Sequence, residues 1–172
     1  MGLVNVSYEI RTSEKMSFTM LEDMLTLIKN NVSGHKHIDD VIFKSKYILT
    51  EMLTNAIKHD HGSSRIKIEI ANNILRFVKT DTGKPLTLPK AGDINGNATI
   101  VTADTMHILY TNKQAEKIFF YCKENVDAIV MNHRLPEHFG LLIITKAADE
   151  FFYAYNAEEQ CNTFSASIYL SD

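Results

Sequence analysis

The feature that most restricts this chain is a single change of hydrophobic period between residues 38 and 85. Asp39 or Asp40 opens a helix whose apolar positions Val41, Ile42, Ile48, Leu49, Met52, Leu53 and Ala56 recur at helical spacing, and the pattern runs to Gly62. Then the period drops to two. Arg65–Ala71 and Ile74–Thr80 read as strands, and Asn72-Asn73 between them predicts a tight hairpin. A one-sided helix buries its stripe only against another element, and the hairpin supplies a sheet face for it.

The flanking segments extend this plan. Leu3–Arg11 alternates Val4, Val6, Tyr8 and Ile10 with Asn5, Ser7 and Glu9, as a half-buried strand does. Thr12 or Ser13 caps a helix through Met16, Met20, Leu21, Met24, Leu27 and Ile28, which Ser33-Gly34 ends. Asp81-Thr82-Gly83-Lys84-Pro85 forms a loop, and residues 86–105, rich in Pro, Gly, Asn, Asp and Thr with little period, predict a long segment able to cover a ligand. Met106–Thr111 and Lys117–Lys123 read as a hairpin around Asn112-Lys113, and Val126–Met131 is too short to assign. Gly140 opens a helix over Leu141–Asp149, and strands close the chain at Phe151–Asn156 and Thr163–Leu170. With no repeat, linker or low-complexity tract, residues 1–172 read as one domain with helices on one face of an antiparallel or mixed sheet.

Composition excludes several functions. A net charge of −3, from 18 basic and 21 acidic residues without a Lys/Arg block, removes most of the electrostatic drive toward nucleic acid or an anionic membrane surface. Cys122 and Cys161 lack metal-ligand spacing and read as two reduced thiols, and the seven histidines form no HExxH-type pair. Glu9, Arg11, Glu14 and Lys15 interrupt any signal-peptide core, and no stretch reaches about 18 apolar residues, so a cytoplasmic protein without membrane contact is expected.

Three places could carry chemistry. Glu51, Asn55 and His59 follow at i, i+4 and i+8 on the second helix and share one face. A carboxylate and an amide oxygen one turn apart suit a hydrated Mg²⁺, though a solvated helix face has the same pattern. Asp81-Thr82-Gly83 follows a strand, where a carboxylate can accept an exocyclic amine and glycine permits close approach; a plain turn looks the same. Phe139-Gly140-Leu141-Leu142 starts a helix, whose free N–H groups favour phosphate, or is a glycine turn before a core helix.

In this order the three pieces resemble the GHKL ATPase superfamily, whose Bergerat nucleotide fold is shared by gyrase, histidine kinases and anti-sigma factor serine kinases. Glu51 to His59 matches the N box, Asp81-Thr82-Gly83-Lys84 the first glycine box, Gly140-Leu141 the start of the second, and Asn162-Thr163-Phe164 the closing element. The resemblance implies an α+β two-layer sandwich, with a mixed, mostly antiparallel sheet, helices packed on one face, and an ATP lid over about 86–139. It implies ATP and Mg²⁺ as cofactors, Glu51 as general base and Asn55 at the metal. Lys58, His59, Asp81, Gly83, Lys84, Gly140, Leu141 and Thr163 complete the implied nucleotide site.

The strand, helix, N-box helix order is similar to the anti-sigma factor kinases, which bind a sigma factor and phosphorylate a serine on an anti-anti-sigma partner. Histidine kinases place a phosphoacceptor hairpin first, and His35 and His37 here sit in a turn. The resemblance therefore implies a protein-serine kinase; a non-catalytic, nucleotide-dependent binding module and a stand-alone sensor-kinase ATPase domain are the alternatives. Two positions depart from the family pattern: Pro85 and Leu142 each stand where a glycine is usual. The first strand is expected at a sheet edge open to a second copy, and the kinases resembled are generally homodimers.

Overall fold

Alternating Ile, Val and Phe residues in the β-hairpin near the middle of the sequence organise the whole sheet. The computed structural model describes residues 3–10, 18–58, 63–88, 93–94, 98–103, 105–126 and 139–170. Among these residues the strands are β1 (Val4–Ile10), β2 (Ser64–Ala71), β3 (Ile74–Asp81), β4 (Asp93–Ile94), β5 (Ala98–Ala103), β6 (His107–Gln114), β7 (Lys117–Glu124), β8 (Glu150–Asn156) and β9 (Cys161–Tyr169). The helices are α1 (Phe18–Asn31), α2 (Ile38–Lys58) and α3 (Phe139–Ala147).

All nine strands join one sheet in the order β1-β2-β3-β9-β8-β7-β6-β5-β4, and every neighbouring pair is antiparallel. The expected α+β two-layer sandwich with a mixed sheet and helices packed on one face is therefore corrected. The structure is strand-rich, with 46% of the described residues in strands against 32% in helices. The reason lies in the segment between the two glycine-bearing stretches. Its described parts include β5, β6 and β7, which continue the sheet by hairpin pairing and so add only antiparallel neighbours.

The β2–β3 hairpin turns at Asn72 and Asn73, with φ of 52° and 58°. Two consecutive positive φ values define the mirror-image turn whose twist suits a two-residue hairpin, and asparagine tolerates that region. The β6–β7 hairpin turns at Ala115-Glu116 and not at the expected Asn112-Lys113, because Asn112 and Lys113 stay in register with Phe119 and Ile118. β5 was invisible to period reading for a physical reason: its register with β6 shifts between Ile100 and Thr102, and a bulge breaks the alternation. The expected cap at Thr12 or Ser13, and most of Val126–Met131, lie outside the described residues.

Register sorts the core. Ile68, Phe77 and Ala166 lie abreast on β2, β3 and β9, as do Ile70, Leu75 and Ile168, and all six are buried. They form one cluster with Ile48, Leu49, Met52 and Leu53 of α2 and Met24 and Ile28 of α1. Each of the Ile, Leu, Phe and Met side chains contributes roughly 1.5–3 kcal/mol on burial. α2 packs against β1 and β3, while α3 packs against α2, β7 and β8. This fixes the C-terminal half of α2 beside the start of α3. Among the described residues, no helix is long and apolar enough to cross a membrane, and Cys161 is a free thiol.

Candidate functional site

The period of two that buries Leu75 and Phe77 continues along β3 to Lys79 and Asp81, so both polar side chains emerge on the face that the apolar residues occupy. On β9, Asn162 stands opposite Asp81 and Phe164 opposite Lys79. On β8, Tyr153 stands opposite Phe164. Residues distant in sequence thus form a polar group at one end of the apolar rows.

Its hydrogen bonds are dense. Asp81 Oδ1 accepts from Asn162 Nδ2 at 2.7 Å and from the Gly83 N–H at 3.0 Å, and Asp81 Oδ2 accepts from Lys79 Nζ. Asn162 Nδ2 also donates to the carbonyls of Gly83 and Lys84, at 3.0 and 3.2 Å. Tyr153 donates its hydroxyl hydrogen to Asn162 Oδ1 at 2.8 Å and accepts from the Leu86 N–H at 2.9 Å. The network ties residues 83–86 to the sheet. At Gly83 an added Cβ would lie 3.0 Å from Asp81 Oδ1, a tight contact that glycine avoids where the loop closes on the carboxylate.

Electrostatics follow from these contacts. Burial alone would raise the Asp81 carboxyl, but the Lys79 ammonium and the Asn162 and Gly83 donors outweigh it, and the group sits below its ordinary value. Burial, reinforced by Asp81 and Tyr155, raises the Tyr153 hydroxyl despite the opposing Leu86 N–H. An ionised carboxylate offers about four acceptor positions. Lys79, Asn162 and Gly83 take three of them. Among the described residues the remaining position is on Oδ2, and the Asp81 side chain is 18% exposed.

A second group forms where α2 meets α3. Glu51 and Asn55 are half-buried, one turn apart, on the side of α2 away from Met52, Leu53 and Ala56. Gly140 is the second residue of α3, where backbone N–H groups lack helical acceptors. A Cβ at Gly140 would lie 2.6 Å from Glu51 Oε2 and 3.5 Å from Asn55 Nδ2. The start of α3 therefore rests on the carboxylate and amide read from the sequence as a pair. Glu51 and Asn55 are hard, oxygen-bearing ligands of the kind Mg²⁺ takes beside waters and phosphates. Among the described residues, no group of three or more His, Cys, Asp or Glu side chains could hold a metal unaided.

The other sequence candidates fall elsewhere. Lys58 and Lys84 are exposed, at the end of α2 and in the loop after β3; Lys84 meets the polar group through its carbonyl alone. Leu141 and Leu142 are core residues, so their side chains face the apolar cluster. Thr163 stands opposite Thr80, and its position in the alternation puts it on the sheet face opposite Asp81. His59 lies outside the described residues. Lys79, Tyr153 and Asn162 are the members that sequence reasoning missed; for Asn162, the two-residue period of the last strand was the signal available.

A cavity of about 630 Å³ lies between β7, β8 and α3, lined in part by His107, Tyr121, Cys122, Lys146 and Phe151. None of the candidate residues lines it, and size alone carries less weight than converging polar groups. Compared with known proteins, the chain matches no family model and no curated protein.

Proposed function

We propose that this chain binds ATP with Mg²⁺ and acts as a protein-serine kinase of the anti-sigma factor type, in the cytoplasm and as a homodimer. The reading rests on the residues of the site and on their resemblance to the GHKL boxes, and the corrected fold adds nothing to it. The observation that carries it is the packing of Gly140 onto Glu51 and Asn55. Two boxes far apart in sequence meet at a contact where a Cβ at Gly140 would have to displace the Glu51 carboxylate.

In this reading the free acceptor position of Asp81 takes the exocyclic amine of adenine, and Gly83 lets the base approach. The N–H groups at the start of α3 face the phosphates. Asn55 is the residue that would hold Mg²⁺, which offsets charge on the transferring phosphoryl group when bound. Glu51, one helical turn from Asn55, receives the proton of the attacking serine hydroxyl. The partners proposed are a sigma factor and a small anti-anti-sigma protein that carries the serine.

Incubation with γ-labelled ATP and a serine-bearing anti-anti-sigma protein tests the chemistry. The wild type should transfer label, and Glu51→Ala should lose at least a hundredfold in rate, the lower bound for a general base, while retaining ATP. Full transfer by Glu51→Ala removes that residue from the role. A second reading, a nucleotide-dependent binding module without catalysis, is favoured by Leu142, a core side chain where the family's second box usually has glycine. It predicts ATP binding with no transfer by the wild type.

A further inference from the structure

Lys79 is a buried cation that the proposed nucleotide reading leaves unused. Its side chain is only 6% exposed, on β3 two residues before Asp81. An ammonium carries three N–H donors. Among the described residues, Lys79 has one hydrogen-bond acceptor, Asp81 Oδ2, and the face of the Phe164 ring, whose centroid lies 5.2 Å from Nζ. Buried donors without acceptors are costly, and a cation raises that cost. Lys79 therefore has donor capacity at the carboxylate oxygen that keeps one acceptor position for a ligand.

An acceptor and a donor side by side form a recognition element. We propose that Lys79 is the base-specificity residue of this site: it donates to the six-membered-ring nitrogen next to the exocyclic amine of adenine, while Asp81 accepts from that amine. This rests on the nucleotide reading above. Adenine presents amine donor and ring acceptor as immediate neighbours. Hypoxanthine and guanine carry N–H at that ring position and a carbonyl in place of the amine. In the same seat they set donor against donor and carbonyl against carboxylate, which rejects them without any steric clash. The Phe164 ring holds the ammonium in place, and its own position opposite Lys79 is fixed by the β3–β9 register.

Titration calorimetry on the full chain tests the assignment with four nucleotides: ATP, inosine triphosphate, and two ATP analogues in which C–H replaces one ring nitrogen beside the amine, in the six- or the five-membered ring. The wild type should bind ATP and lose roughly tenfold or more in affinity on the six-membered-ring analogue, with little loss on the other. It should discriminate against inosine triphosphate by a larger factor. Lys79→Met, which keeps the length of the stem against Phe164, should lose the same factor with ATP and show no further loss on the six-membered-ring analogue. Equal binding of ATP and that analogue by the wild type overturns the proposal, whether or not Lys79→Met folds. So does a loss confined to the five-membered-ring analogue, or Lys79→Met binding ATP as tightly as the wild type. Wild type that binds none of the four nucleotides overturns the nucleotide reading itself, and this proposal with it.

Discussion

Replacing Asp81 by Asn should destabilise the fold more than replacing Lys79 by Met, although each change removes one half of the same pair. The asymmetry comes from what is left behind. Asp81→Asn leaves an ammonium that is 6% exposed with no other anion paired to it among the described residues, whereas Lys79→Met leaves a carboxylate that is 18% exposed and still accepts from Asn162 and Gly83. Orphaning one member of a buried pair costs about 3–5 kcal/mol. The partial exposure of Asp81 and its two remaining donors point to the low end, about 3 kcal/mol for Asp81→Asn and about 1 kcal/mol for Lys79→Met. At about 2–4 °C per kcal/mol for a chain of this size, Asp81→Asn lowers Tm by roughly 6–12 °C. Urea unfolding of both variants and of the double variant is the assay. The double variant should recover much of the stability lost by Asp81→Asn, since no charge is then left unpaired. A larger loss for Lys79→Met than for Asp81→Asn, or simple additivity in the double variant, refutes the reasoning.

Gly140→Ala places a Cβ 2.6 Å from Glu51 Oε2, the far end of a flexible side chain; the carboxylate swings away, so thermal unfolding should move by only a few degrees while phosphotransfer falls. A Tm loss that parallels the activity loss would instead mean that Gly140 is needed for packing. The depressed Asp81 carboxyl contributes stability that is fully present above its unfolded value of about 3.9 and is lost as pH falls through the folded value below it. Acid unfolding should therefore lose this contribution in Asp81→Asn, whose stability curve is flatter below about pH 4. The raised Tyr153 hydroxyl acts at the other extreme: its contribution is intact below the unfolded value of about 10 and declines as pH rises past it, so Tyr153→Phe should flatten the alkaline limb. β1 is the terminal strand of the sheet, paired on one side only with β2 and carrying the exposed Glu9–Arg65 ion pair. Light scattering should give a dimer mass that is lost on deleting residues 1–11 with the fold retained; a monomer mass at every concentration rejects dimerisation.

Much of the strand content was legible because alternation is a local signal. Val4 to Ile10, Ile66 to Ile70 and Leu75 to Phe77 each repeat every second residue, and the two asparagines at 72 and 73 name their own turn. α2 was legible for the same kind of reason, at its own period. β5 was not, since the bulge between Ile100 and Thr102 removes the alternation that would have marked it. The misplaced β6–β7 turn shows the converse, a turn-prone Asn-Lys pair held extended by its partners on β7. At the candidate site, residue chemistry and order singled out Glu51, Asn55 and Gly140, which the structure brings together, and Asp81 and Gly83, which it joins by a hydrogen bond. Lys79 was missed because nothing local distinguishes a buried lysine from an exposed one. Its burial follows from the β3–β9 register, with Phe164 opposite. Thr163 was chosen over Asn162 because motif matching ignores which face of a strand a residue occupies, and one position along a strand reverses the face.

The central claim is that the Asp81 and Gly140 groups hold a nucleotide, and calorimetric titration of the purified chain with Mg-ATP tests it most directly. A saturable isotherm is predicted. It should weaken by roughly tenfold or more in Asp81→Asn, as the loss of a charge-assisted hydrogen bond requires. A folded sample that gives no heat with Mg-ATP at high micromolar concentration, or an isotherm that Asp81→Asn leaves unchanged, contradicts the account.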